Sequence, residues 1–286
     1  MANKDKSLSR RKFLKLGAVS ALALIWVRGA LVEPYLDLEC VNVRIKVPKW
    51  KKGLENIKIA LIGDIHAGWG ELEDYRVRSA IDTLNAGKPD VVIILGDYFN
   101  GRFYQTAMGE KRLAYLLSRI RAPYGVYAVL GNHDTYYGIP KIRRMLAEAG
   151  VKLLENSNVE IKTPHGNFYI AGIADPITTS YMYGPTLRGI PPDEPVVFVT
   201  HSPGILREIP KTVSFSVAGH THGGQICLPF FGPIASNCEL PRGESAGLIE
   251  DSEGRVIYVN RGLGTSRIPL RILCPPEITF ITVEKK

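Results

Sequence analysis

Three apolar segments of this chain each end in a glycine that is followed by an acidic or amide residue. The segments Ile57–Ile62, Val91–Leu95 and Val126–Leu130 run into Gly-Asp, Gly-Asp and Gly-Asn. Segments with helical spacing separate and follow them: Leu72–Leu84, Arg112–Ile120 and Ile139–Ala149. Short apolar strands that alternate with helices predict a parallel sheet with right-handed crossovers.

After residue 150 the helical spacing disappears and short apolar segments follow one another. The predicted strands are Val159–Lys162, Phe168–Ala171, Val196–Thr200, Phe215–Ala218, Ala246–Ile249, Val256–Asn260 and Ile278–Val283. One domain with two sheets explains both halves more simply than two domains. We therefore predict an α/β fold in which two sheets share one core.

Polar side chains gather at the ends of these predicted strands. Five of the six histidines stand there, and only His165 does not. The candidate site residues are Asp64, His66, Asp97, Asn132, His133, Asp134, His201, His220 and His222. The carboxyl ends of parallel strands open into one crevice, so these side chains are expected to meet.

Such a cluster has a chemical requirement. Buried carboxylates are costly without a compensating charge, and divalent metal ions supply one. Oxygen and imidazole ligands suit manganese, iron, zinc or cobalt rather than a soft thiolate site. Two ions about 3.5–4 Å apart clamp both the attacking and the leaving oxygen of a phosphoryl transfer.

The motifs GDIH, GDYF, GNHD, THSP and GHTH, in this order, resemble those of the calcineurin-like metallophosphoesterases over roughly residues 57–285. The subgroup resembled has GHTHGGQ followed by a Pro-Phe-Phe-Gly turn, and it includes twin-arginine-exported phosphoesterases and lipid-associated pyrophosphohydrolases. The resemblance implies a four-layer α-β-β-α fold, a two-sheet β-sandwich flanked by helices. It also implies a phosphohydrolase with two divalent ions, expected to be manganese with iron or zinc as alternatives, whose bridging hydroxide attacks phosphorus.

The resemblance also assigns roles to matching residues. Asp64, His66 and His222 would bind the first ion. Asp97 would bridge the two ions. Asn132, His201 and His220 would bind the second ion. His133 would stabilise the transition state or protonate the leaving oxygen, and Asp134 would orient its ring.

Two further pairs of residues are candidates for contacts with the substrate. Arg267 and Arg271 either pair with a substrate phosphate or form surface salt bridges. Phe230 and Phe231 lie in the apolar stretch Leu228–Ile234, which either packs under the site or contacts a bilayer or an acyl chain. The second interpretation favours a lipid-linked or cell-envelope phosphoester as substrate.

The N-terminal residues have the pattern of a targeting signal. Ser9–Lys15 contains paired arginines before Phe-Leu-Lys, and the apolar run Leu16–Val27 follows. This arrangement resembles a twin-arginine signal, with the export machinery as a partner and the outer face of the cytoplasmic membrane or the cell envelope as the destination. Twelve apolar residues are short for a membrane span, which needs about 20. Arg28 disturbs the cleavage site expected before residue 31, so the segment is either removed or kept as a membrane tether.

These features divide the chain into residues 1–30 as signal or tether, 31–55 as a lead-in segment, and 56–286 as the catalytic domain. The net charge is +8, but the first fifteen residues carry +5 of it and leave +3 for the rest. The body is only mildly basic, and we predict no nucleic-acid partner.

The four cysteines show no CxxC spacing, which excludes zinc-finger and thioredoxin sites. Either Cys227 and Cys238 pair in an oxidising compartment, or all four cysteines are small buried hydrophobes.

Two alternative functions remain at the level of sequence. The first is a pyrophosphohydrolase of a nucleotide-linked lipid of the UDP-2,3-diacylglucosamine type. Export argues against it, because that substrate is cytoplasmic. The second is a metal-binding scaffold without activity, against which the intact His133-Asp134 pair argues.

Overall fold

Two six-stranded sheets packed face to face form the centre of the computed structural model, which describes residues 9–68, 72–101, 108–236, 238 and 240–286. The strands of the first sheet are β1 (Glu39–Val47), β2 (Lys58–Ile62), β3 (Val91–Ile94), β4 (Val126–Ala128), β5 (Lys152–Leu153) and β14 (Glu277–Lys285). Its order is β1-β14-β2-β3-β4-β5, and the four strands β2 to β5 are parallel; the parallel strands β2, β3 and β4 were predicted, whereas β5 was not. β14 runs antiparallel to β2, so the sheet is mixed.

The second sheet also has six strands and is also mixed. Its strands are β6 (Ser157–Thr163), β7 (Gly166–Gly172), β8 (Val196–Val199), β9 (Phe215–Ala218), β12 (Gly247–Glu250) and β13 (Val256–Val259). The order is β12-β13-β9-β8-β7-β6, with parallel pairing from β7 to β13 and antiparallel strands at both edges. A separate hairpin joins β10 (Cys227–Leu228) to β11 (Gly232–Pro233).

Residue alternation along the strands builds the layers. In β2 and β3, Ile59, Leu61, Val91 and Ile93 point into the core between the sheets, and their neighbours point to the opposite face. Because both faces are covered, these strands are apolar at nearly every position rather than at alternate ones.

Helices complete the outer layers. The helices are α1 (Arg10–Val27), α2 (Glu33–Leu36), α3 (Leu72–Ala86), α4 (Glu110–Leu117), α5 (Asn132–Tyr137), α6 (Ile139–Glu148) and α7 (Tyr183–Leu187). α3, α4 and α6 pack on the first sheet. α7 and the 3₁₀ segment Pro203–Glu208 cover the second. The predicted α/β fold of two sheets flanked by helices is confirmed.

The expected lead-in segment is part of the fold. β1 pairs with β14 along its whole length, from Glu39 opposite Glu277 to Val47 opposite Lys285. Trp50 and Leu54, which follow β1, are buried in the core between the sheets. The first sheet and its core therefore include residues that precede residue 56.

The N-terminal helix is longer than its apolar run. A π-helical segment, Arg28–Val32, joins α1 to α2, so one helix of 27 residues extends from Arg10 to Leu36. Among the described residues it is the one helix long and apolar enough to cross a membrane, a property that signal sequences share. Its C-terminal end is attached to the body, where the Arg271 amide donates to the Gly29 carbonyl at 2.9 Å.

All four cysteines are free. Cys274 is buried, Cys227 and Cys238 are half-buried, and Cys40 is exposed on β1. The expectation of four buried cysteines is therefore wrong for three of them.

Candidate metal centre

The predicted site residues meet where the carboxyl ends of both sheets converge. β2, β3 and β4 deliver Asp64, His66, Asp97 and Asn132 from the first sheet, while β8 and β9 deliver His201, His220 and His222 from the second. Within the described part of the chain, three overlapping groups of ligand atoms result: Asp64, His66 and His222; His66, Asp97 and His133; and Asp97, His201 and His220. Within each group all ligand atoms lie within 4.8 Å of one another.

In the first of these groups the ligand atoms face one point. His66 Nε2 and His222 Nε2 are 3.0 Å apart. Asp64 Oδ1 lies 3.6 Å from His222 Nε2 and 3.9 Å from His66 Nε2. Two ligands about 2.1 Å from the same ion and roughly at right angles lie about 3 Å apart, so this spacing fits one first-row divalent ion.

Asp97 connects this group to the second one. Its Oδ2 lies 3.4 Å from His66 Nε2 and 3.3 Å from His201 Nε2. His201 Nε2 is in turn 3.2 Å from His220 Nδ1. One carboxylate oxygen thus contacts both histidine groups, which is the position of a bridging ligand.

Two buried carboxylates and one buried amide oxygen also fit metal binding. Asp64 and Asp97 are fully buried, and within the described ranges neither carboxylate forms an ion pair with a lysine or arginine. Asn132 Oδ1 is buried and has no hydrogen-bond partner among those residues. Two anionic groups and a free carbonyl oxygen in one buried site require cations.

Hydrogen bonding and burial direct the imidazole nitrogens towards the cluster. His201 Nδ1 donates to the Leu95 carbonyl at 2.6 Å, so Nε2 faces the cluster. Burial opposes a charge on this ring, but the negative charge of Asp97 raises the pKa of His201, so a bound metal ion would replace a proton on Nε2. Burial lowers the pKa of His66 to about 3 and also lowers the pKa of His222, so both rings are neutral at pH 7. Burial raises the pKa of Asp64 to about 7, so a nearby cation is needed to keep this carboxylate fully ionised.

Five of the ligand candidates have left-handed backbone. Their φ angles are 46° at Asp64, 45° at His66, 54° at Asp97, 72° at His220 and 53° at His222. Non-glycine residues rarely adopt such angles, which cost of order 1–3 kcal/mol each in the sparsely populated regions and cluster at functional sites. The fold thus holds these five residues in strained backbone conformations, which direct their side chains towards the metal centre.

Comparison with known proteins is consistent with this geometry. The family model of the calcineurin-like phosphoesterases matches residues 57–224, more than half of the chain. This chain belongs to that family. It is therefore a phosphoester hydrolase of a dimetal-dependent family.

Individual relatives extend the likeness beyond the matched region. YkuE of Bacillus subtilis, an uncharacterized metallophosphoesterase, is 32% identical over 98% of this chain and 99% of its own length. A zebrafish (Danio rerio) transmembrane protein with a metallophosphoesterase domain is 27% identical over 96% of this chain and 63% of its own length. The crystal structure of the calcineurin-like phosphoesterase YfkN from Bacillus subtilis aligns with a TM-score of 0.46 at 11% identity, covering 78% of this chain and 89% of YfkN.

His133 of this phosphoesterase lies at the open side of the metal centre. Its ring meets the His66 ring edge-on at a centroid distance of 4.7 Å. Its backbone N–H donates to Asp97 Oδ1 at 2.8 Å. The imidazole lines the cavity above the ligands, so it can act on a bound substrate or join His66 and Asp97 as a ligand.

Asp134 does not orient the His133 ring, contrary to the sequence-based expectation. Its carboxylate accepts three backbone N–H groups, from Asp97 at 2.9 Å, Tyr98 at 2.9 Å and Gly131 at 2.8 Å. As the third residue of α5, it turns back to the helix start and caps it. Asp134 is therefore a positioning residue that holds the loops after β3 and β4 together.

The two candidate arginines have different environments. Arg267 lines the cavity beside the metal ligands, as a substrate contact requires. Arg271 is fully buried, and its guanidinium donates to the carbonyls of Arg261, Gly262, Gly264 and Cys274. Arg271 is thus a structural residue, and the expectation that it contacts substrate is wrong.

The cavity above the metal centre has a volume of about 500 Å³. Sequence reasoning missed several of its lining residues: Ile177, Tyr181, Glu208 and Ser266. Tyr181 donates from its hydroxyl to Glu208 at 3.0 Å, and the two form part of the wall. Tyr181 lies in an irregular segment and Glu208 ends the 3₁₀ segment Pro203–Glu208, and no strand-end pattern marks either residue.

The two tyrosines that follow the GNHD motif have different roles. Tyr136 lines the cavity. Tyr137 stacks on Phe99 with a centroid distance of 4.4 Å and donates to Glu110, so it belongs to the packing.

Proposed function

We propose that this phosphoesterase hydrolyses phosphoesters of lipids or lipid-linked cell-envelope molecules. The observation that carries the proposal is an exposed apolar hairpin beside the catalytic cavity. Phe230 is fully exposed at the tip, Phe231 is 85% exposed, and Leu228 and Ile234 are half-exposed.

The hairpin conformation is costly without a partner. Phe230 has a φ of 67°, which bulky residues rarely adopt. Two neighbouring phenyl rings in water forgo burial worth about 2 kcal/mol each. An apolar ligand such as a bilayer or an acyl chain would recover that free energy.

Hydrogen bonds connect the hairpin to the cavity. Gln225, just before β10, donates to the Ile268 carbonyl at 3.0 Å and accepts from the Ser266 amide at 2.8 Å. Ser266 and Arg267 line the cavity. A lipid held at the hairpin would therefore have its headgroup near the metal ligands.

The hairpin also shares its support with the N-terminal helix. The Cys227 amide donates to the Ile272 carbonyl at 2.8 Å, and the neighbouring Arg271 amide donates to Gly29 at the end of that helix. The hairpin and the helix thus share one supporting segment, and we propose that both contact the same membrane surface. A relative named a transmembrane protein is consistent with this proposal.

The residues of the site would have different roles in binding and catalysis. Asp64, His66 and His222 would hold one ion, Asn132, His201 and His220 the other, with Asp97 between them. When bound, such ions neutralise phosphate charge and lower the pKa of water, and we propose manganese. Arg267 orients the phosphate oxygens, and His133 supplies a proton to the leaving oxygen.

A substrate panel with paired variants tests the proposal. The full-length enzyme is assayed with manganese on two kinds of substrate. The first is a soluble aryl phosphate. The second is a set of vesicle-bound lipids with long acyl chains, which are phosphomonoesters, phosphodiesters and nucleotide-linked pyrophosphates. The double variant Phe230→Ser/Phe231→Ser should lose at least tenfold in kcat/KM on the vesicle substrate and less than twofold on the aryl phosphate.

Tyr115→Ser, which removes an exposed ring from α4, is the matched control and should change neither rate. Equal rates of the hairpin variant and wild type on vesicles would reject the lipid assignment. No metal-dependent turnover of any substrate would reject catalysis and favour a scaffold.

We further propose export by the twin-arginine route to the outer face of the membrane. Arg10 and Arg11 lie exposed at the start of α1, which Ser9 caps through its side chain. Replacing both arginines by lysine should leave the protein in the cytoplasm, measured by protease protection in spheroplasts. The charge-conserving control Lys12→Arg/Lys15→Arg should still be exported, and export of the arginine double variant would refute the route.

A further inference from the structure

Cys227 and Cys274 lie against the same backbone carbonyl behind the metal centre. Each thiol sulfur lies 3.5 Å from the Gly223 oxygen, so both cysteines share one carbonyl as a hydrogen-bond acceptor. The Cys274 thiol donates in addition to the His222 carbonyl at 3.1 Å. The pair is therefore built onto the turn that carries a predicted metal ligand.

The local backbone explains how two distant cysteines meet. Cys227 starts β10 and pairs through its amide with the Ile272 carbonyl. Leu273 has a φ of 52° and an exposed side chain, and the next residue, Cys274, is buried. This kink turns the Cys274 sulfur inward, towards the base of the hairpin.

We propose that Cys227 and Cys274 form a disulfide when the protein meets a protein or small-molecule disulfide as oxidant. The Cys227 thiol is the more exposed of the two; it loses its proton, attacks one sulfur of the oxidant and releases the other as a thiol. The Cys274 thiolate then attacks the Cys227 sulfur of this mixed disulfide and releases the second thiol. Two protein thiols are oxidised, one external disulfide is reduced to two thiols, and both protons leave with the products.

The bond would brace three parts of the molecule at once. It joins the base of the hairpin to the segment that holds the N-terminal helix, where the Cys274 amide donates to the Glu33 carboxylate. Both sulfurs pack on the His222–Gly223 turn. The inference is independent of the substrate, because it concerns only the support of the metal centre.

The other two cysteines have different surroundings. The thiol of Cys238 lies 3.6 Å from the Ser236 hydroxyl, and Cys238 lines the catalytic cavity. Cys40 is exposed on the edge strand β1. The structure thus favours Cys274 over Cys238 as the partner of Cys227.

The test is oxidation of the purified full-length protein with oxidised glutathione, followed by thiol alkylation, intact mass and peptide mapping. We expect two of the four thiols to disappear and one linked peptide pair, Cys227 with Cys274. The midpoint of thermal unfolding should rise by about 5 °C or more and return after reduction.

Cys238→Ser is the matched control and should form the same link, whereas Cys227→Ser should form no internal link and show no thermal shift. The peptide map of the wild-type protein identifies the linked cysteines by itself. The proposal can therefore be tested even if one of the two variants fails to fold. A Cys227–Cys238 link, or a persistent glutathione adduct without an internal link, would overturn the proposal.

Discussion

Gly131→Ala is the perturbation that examines the metal centre most directly. A Cβ atom at this position would lie 2.2 Å from Asp97 Oδ1, 2.6 Å from His201 Cε1 and 2.7 Å from His201 Nε2. Gly131 itself has φ −109° and ψ 179°, which any residue adopts. The substitution therefore acts through space rather than through backbone strain.

The size of the effect follows from these distances. Ordinary contacts of a Cβ atom begin near 3.4 Å, so the Asp97 carboxylate must move by about 1 Å. A misplacement of about 1 Å in a catalytic constellation costs about 10²-fold in rate. Overpacking of this kind costs about 1–3 kcal/mol in stability, so most of the protein should remain folded.

The assay combines metal content with turnover. We expect the Gly131→Ala protein to bind fewer than two manganese ions per chain by elemental analysis and to lose about 100-fold in kcat/KM on an aryl phosphate. Gly184→Ala is the matched control, because a Cβ atom there meets nothing within 4 Å. Wild-type metal content and activity in the Gly131→Ala protein would refute the assignment of Asp97 and His201 as ligands.

Four further substitutions test the roles of individual side chains. Asp97→Asn should abolish metal-dependent hydrolysis of the aryl phosphate while circular dichroism stays unchanged, and full activity of the purified variant would contradict the bridging role. Arg271→Met should lower the free energy of unfolding by about 3–5 kcal/mol in urea titration, because buried backbone carbonyls lose their charged donor, whereas Arg267→Ala should raise KM and leave stability within about 0.5 kcal/mol. Asp134→Asn should cost about 1–3 kcal/mol in stability and reduce kcat, since an amide NH2 group replaces one of the two oxygens that accept from three backbone amides; a reduced kcat with unchanged stability would instead favour the ring-orienting role.

The parts of the fold that depend on local pattern were predictable from sequence. Val91–Ile94 and Phe215–Ala218 read as strands because buried strands need apolar residues on both faces, and their bounds fell within one residue of the prediction. Weakly apolar or very short elements were missed. β1 carries charged residues on its exposed face, and its pairing with β14 joins residues more than 200 positions apart.

The candidate site divides in the same way. The sequence by itself determined which polar residues follow the strands, and strand ends converge for topological reasons, so the set from Asp64 to His222 could be named in advance. Only the tertiary structure decided what each neighbour does. Arg267 and Arg271 are four residues apart, yet one faces the cavity and the other is buried under carbonyls from distant segments.

The same limit applies to Asp134, whose acceptor role depends on amides in the loops after β3 and β4 rather than on the adjacent His133. It applies also to Cys227, which shares the Gly223 carbonyl with Cys274 and not with Cys238, although Cys238 is nearer in sequence. Periodicity and motifs report on local backbone and on burial. The partner of a side chain is fixed by packing between segments that are far apart in the chain, and no local pattern encodes that packing.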